Sequence, residues 1–146
     1  MSTTTSTAGT DGLGTAVQSR SLLQGSAAGA AAATLINAAL WAGGRAADVP
    51  FMVSSAFMTQ VGLVPIVLTT LIAFAVGSGL LALAVRRSRR WVRAVLVSAA
   101  LVAVVSAGAP LGAAQDTATG VLLATMHLAT GATFLITARR VLPPAG

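Results

Sequence analysis

Residues 63–85 read LVPIVLTTLIAFAVGSGLLALAV, residues 86–93 RRSRRWVR, and residues 94–111 AVLVSAALVAVVSAGAPL. Two uncharged runs flank a short basic segment. A helix needs about 20 residues to cross the roughly 30 Å of hydrocarbon in a bilayer, and both runs approach or exceed that length. The chain is therefore expected to pass through a membrane, come out at the arginines and go back in. Trp91 falls where an interfacial aromatic would sit.

The same reading extends in both directions. Upstream, residues 21–44 form an uncharged, alanine-rich run in which Leu22, Leu23, Leu35, Ile36 and Leu40 favour insertion and Gln24 and Asn37 oppose it. The Gly29 to Ala33 spacing lets a neighbouring backbone come close. Arg20 before an apolar run also suits a secretory signal, but the region ahead of it is long and the run exceeds the usual apolar core of about 7–15 residues. Downstream, residues 117–138 make a fourth span that ends on Arg139 and Arg140. Residues 1–20, rich in Ser, Thr and Gly, are expected to be a disordered cytoplasmic tail. Arg45 to Gly62 has no regular pattern and either lies in the interface or starts the second helix early.

The expected fold is all-α: an integral membrane four-helix bundle over residues 21–142, made of two antiparallel transmembrane hairpins with helices at about 21–44, 63–85, 94–111 and 117–138. Composition agrees, at 55% hydrophobic and 8% charged over 146 residues. The net charge of +6 does not point to nucleic acid, because the arginines sit at the ends of apolar runs and form no soluble basic face. Arg20, Arg86, Arg87, Arg89, Arg90, Arg93, Arg139 and Arg140 fall on one side and Arg45 alone on the other. By the positive-inside rule the eight are cytoplasmic, which puts both termini inside a multi-pass plasma-membrane protein.

Several chemistries are excluded. The chain has no lysine for a Schiff base, no cysteine for a disulfide, thiolate metal site or nucleophile, and one histidine. No metal site, cofactor or enzymatic activity is expected. No acidic residue lies inside a span, which removes the proton-coupled cation exchange of small four-helix exporters.

Four residues remain as functional candidates: His127, Asp116, Asp48 and Asn37. His127, midway along the fourth span, shares a helical face with Gly120, Ala124 and Gly131 that is expected to pack on other helices. It is either a proton-relay or ligand-binding imidazole, or a neutral ring bonded to a backbone carbonyl, Asn37, Ser98 or Ser106. Asp116 lies about 16 Å away along the helix axis and suits an N-cap, with Thr117 and Thr119 behind it. Asp48 pairs with Arg45 at the outer surface or joins Asp116 in a solute mouth. Asn37, like Thr69, Thr70 and Ser78, is interhelical glue or a ligand. Arg86, Arg87, Arg89, Arg90 and Arg93 set topology and are candidates for anionic lipid headgroups.

Ser106-Ala107-Gly108-Ala109-Pro110-Leu111, followed by Leu123-Ala124-Thr125-Met126-His127-Leu128 and Gly131, resembles a family of small actinobacterial membrane proteins defined by a domain of unknown function, number 6069. Gly77 to Leu83 and Leu40-Trp41 fit it too, and the resemblance covers about Ala30 to Leu142. It implies four transmembrane helices in the plasma membrane and assigns no activity. Because Met126-His127-Leu128 belongs to the pattern, His127 is the first residue to test. The leading expectation is a non-enzymatic accessory or self-associating helical subunit, partnered by the bilayer and by a homo-oligomer or larger complex. The small-residue faces Gly108 to Gly112 and Gly120 to Ala124 motivate it. The alternative is a small solute or ion transporter using the outer aspartates and His127.

Overall fold

The computed structural model describes residues 10–56 and 59–142. Four helices follow in order, α1 (Thr10–Ala46), α2 (Leu63–Arg87), α3 (Arg89–Ala113) and α4 (Thr117–Val141). All four contain stretches long and apolar enough to cross a membrane. In a bilayer a helix bonds every main-chain polar group within itself, which is why such runs take this form. The helix α1 starts at Thr10, so residues 10–20 are helix where a disordered tail was expected. Once a helix is nucleated, each added residue gains one hydrogen bond, and no proline interrupts the extension. Residues 1–9 of that tail lie outside the described residues, as do Phe57 and Met58.

The hairpins are α1–α2 and α3–α4. Around the bundle α2 packs on α1, α1 on α4 and α4 on α3, while α2 and α3 meet more sparsely and α1 does not reach α3. The close seams run over small residues. A Cβ on Gly29 would stand 2.9 Å from Phe74 and clash with Thr137, one on Gly77 would stand 2.9 Å from Phe134, and one on Gly131 would overlap Ala103. Phe74 and Phe134 meet edge-on at 5.7 Å and form a core layer with Ala33.

The basic segment is not a loop. Arg86 and Arg87 close the last turn of α2, Arg89, Arg90 and Arg93 begin α3, and Ser88 alone connects them in an extended conformation (φ −173°, ψ 164°). The Ser88 N–H bonds the Ala84 carbonyl, and the Ser88 carbonyl accepts from Val92. Helix pairs that lie flush in a bundle usually have connections of about 2–8 residues. A single residue leaves less room to lay α3 along α2.

At the opposite end, residues 47–56 and 59–62 form a cap. Gln115 N–H donates to the Met52 carbonyl, Ser54 N–H to the Ala113 carbonyl and Val61 N–H to the Phe51 carbonyl. Isolated bridges pair Met52 with Gln60 and Val53 with Ala114. Phe51 is wholly buried although its φ of 55° is a left-handed conformation costing about 1–2 kcal/mol for a residue with a Cβ. The buried ring offsets that cost: it lies against Gly44 of α1 beside Leu122 of α4 and joins a core of Val49, Val53, Ile66, Leu123 and Met126. Trp41 donates its indole N–H to the Val61 carbonyl at 3.3 Å and ties the cap to α1.

Candidate functional site

The sparse α2–α3 seam leaves a groove of about 810 Å³, within the range of roughly 300–1,000 Å³ typical of small-molecule sites. On α2 its walls run from Pro65 to Leu80, a length of about 22 Å at 1.5 Å per residue. Val76, Leu80, Val95 and Val102 make the walls apolar, and α4 supplies the floor with Leu123, Met126, His127, Thr130 and Phe134. Among the described residues that line it, none is charged.

A polar cluster crosses this floor. Asn37, 2% exposed, donates from Nδ2 to Thr70 Oγ1 and to Thr130 Oγ1, each at 2.9 Å, and so ties α1 to α2 and α4. The threonine hydroxyls donate in turn to carbonyls of their own helices, Thr70 to Ile66 at 2.7 Å and Thr130 to Met126 at 2.8 Å. With their protons committed they can only accept from Asn37, which fixes the amide orientation. The leftover Asn37 Oδ1 has no hydrogen-bond partner. Interhelical bonds of this kind average about 0.6 kcal/mol in membranes, so the cluster fixes register more than it supplies stability.

His127 departs from its expected environment. It is exposed along the groove rather than packed against another helix, while Gly120 and Ala124 are buried. Three residues turn a helix by about 300°, so His127 stands some 60° from Ala124 and faces the opening between α2 and α3. Of the partners expected for it, the backbone carbonyl is realised: Nδ1 lies 2.8 Å from the Leu123 carbonyl oxygen. A carbonyl only accepts, so Nδ1 carries the proton and Nε2 of the neutral ring is an acceptor.

The aspartates lie elsewhere. Asp116 caps α4, with Oδ1 accepting from the Thr119 N–H at 2.8 Å. That bond is the main reason its carboxyl is held below the ordinary value. Asp48 is exposed in a left-handed turn (φ 57°), where its N–H bonds the Arg45 carbonyl at 3.2 Å. Asp116 and His127 stay about 16 Å apart along α4, and neither aspartate lines the groove. The described residues contain no group of three His, Asp or Glu placed to hold a metal. The five arginines from Arg86 to Arg93 are exposed at the end of the bundle remote from the cap. Of the floor residues, Thr130 escaped the sequence reading, although its place three residues after His127 on the same helix was a usable signal.

The family described as "Family of unknown function (DUF6069)" matches residues 17–144, and the chain belongs to it. No curated protein and no solved structure matches.

Proposed function

We propose that this member of a family without an assigned activity is a non-enzymatic membrane protein that works by binding, taking a hydrophobic guest from the bilayer into the α2–α3 groove. The observation that carries this reading is the groove itself. It has apolar walls from α2 and α3 and a floor with a few converging polar groups. That is the character of a small-molecule site more than of a pore. A lone histidine without an acid or a nucleophile beside it favours binding over catalysis. The arginine asymmetry supports a plasma-membrane orientation with both termini cytoplasmic, and no feature favours nucleic acid.

A second reading, the accessory or self-associating subunit, draws on Gly108 and Gly112 of α3, which have nothing within 4 Å of where a Cβ would stand. Glycines at that spacing admit a partner helix. Transport through Asp48, Asp116 and His127 has less support, since both aspartates belong to the cap end and neither lines the groove with His127.

Intact-mass measurement of the chain released from mild detergent tests the proposal. A bound small molecule that is lost in Ala73→Phe, which fills the groove, supports it. A stoichiometric second protein, lost instead in Gly108→Leu, makes the accessory reading the better one. A chain that carries nothing, and whose behaviour toward added hydrophobic molecules is unchanged by Ala73→Phe, overturns it.

A further inference from the structure

The floor of the groove presents hydrogen-bond acceptors and almost no free donors. Thr69 gives its proton to the Pro65 carbonyl, Thr70 to Ile66, Thr130 to Met126 and Ser106 to Ala103. Both protons of the Asn37 amide go to threonine oxygens, and the Nδ1 proton of His127 goes to Leu123. What remains is His127 Nε2 and the second lone pairs of the threonine hydroxyls, while the unpartnered Asn37 Oδ1 is buried beneath them. The donors left over, the Trp91 indole and the Ser98 hydroxyl, stand on the α3 wall.

Inside hydrocarbon such acceptors have no water to turn to. A guest that offers a proton gains a bond that lipid tails cannot supply. A guest with an anionic group would meet no cation, and one with a cation would find no carboxylate, because the described lining holds no charge.

Building on the binding role assigned above, we infer that the groove selects neutral hydrophobic molecules carrying a hydrogen-bond donor, a hydroxyl or an amide N–H. His127 Nε2 is the principal acceptor. The Asn37–Thr70–Thr130 cluster acts through position: it holds α1, α2 and α4 in the register that forms the floor on which His127 sits.

The test uses the full chain in nanodiscs of a zwitterionic lipid, with Trp41→Phe so that Trp91, which lines the groove, is the reporter. The probes are a long-chain alcohol and its methyl ether, both brominated on the chain so that they quench tryptophan on contact. The alcohol is expected to quench saturably at roughly fivefold lower concentration than the ether, as befits one net hydrogen bond. His127→Phe should remove that preference while both probes still bind.

Equal affinity for alcohol and ether in the unsubstituted groove overturns the donor selection and leaves the groove reading standing. Non-saturable quenching by both probes, unaffected by Ala73→Phe, overturns the groove reading itself. The comparison of the two probes needs no substitution at His127, so a variant that fails to fold does not rescue the idea. A preference that persists in His127→Phe shows that this imidazole is not the acceptor and overturns its role.

Discussion

The α1–α4 seam and the α2–α3 seam of the same bundle are built on opposite terms. The spans in α1 and α4 have the lowest mean hydropathy of the four, 1.2 and 1.6, yet these helices approach so closely that a side chain at Gly25 or Gly29 would collide with Val141 or Thr137. The spans in α2 and α3 are the most lipophilic, at 2.3 and 2.2, and they stand apart around a groove. Lipid tails are as apolar as leucine, so apolarity does not draw helices together in a membrane. Small residues that let backbones touch, and polar groups that find each other, do. The tight seam runs over Gly25 and Gly29, whereas Val76, Leu80, Val95 and Val102 stand among the residues that line the open one.

This contrast can be broken by substitution, read as the thermal midpoint of the detergent-solubilised chain. The largest loss is expected from Phe51→Ala, which empties the lid over the loop end of the α1–α4 seam and should cost about 3–5 kcal/mol, as for other buried aromatics. Gly29→Leu should follow, at about 1–3 kcal/mol of overpacking. The matching change on an open face, Gly79→Leu, has space around it and should be close to neutral. If those two glycine variants melt alike, the difference between the seams is not a difference in packing.

Asn37→Val, which removes two interhelical bonds, should cost about 1 kcal/mol at the 0.6 average per bond. It should also loosen α2 more than α3, since Asn37 holds Thr70 and Thr130 but nothing on α3. The smallest effect belongs to Asp116. Its carboxyl titrates below the ordinary 3.8 when folded, so its cap is fully formed above that value and its contribution fades as the pH falls through the lower folded value. Asp116→Ala should therefore lower the midpoint slightly near neutrality, have no effect at a pH below the folded value, and flatten the acid-dependent slope between them.

Much of this was legible in the chain itself. The number of spans, their approximate places and the arrangement into hairpins follow from four uncharged runs, because a run of that length has one way to hide its backbone from lipid. The cap on α4 followed from Asp116 ahead of Thr117 and Thr119, since capping is a local event of three residues. The ends were less exact. Each helix runs past its expected bounds, and the arginine segment, which looked like a loop, contributes a single connecting residue.

Other features depended on contacts between segments far apart in sequence. The cap residues 47–56 and 59–62 follow no period because their contacts come from elsewhere, from Ala113 and Gln115 across the bundle and from the pocket that Gly44 and Leu122 make for Phe51. Gly120, Ala124 and Gly131 do pack on other helices as their spacing predicts, but His127 meets the groove, since periodicity tells which residues share a side and not which neighbour stays away. The sequence by itself determined that this is a four-helix membrane protein with most of its arginines at one end, because hydrophobic length and capping act within a segment. Only the tertiary structure decided that α2 and α3 part around an acceptor-lined groove. That outcome rests on a one-residue link at Ser88 and on small residues that draw α4 toward α1 and α3, quantities no single segment contains.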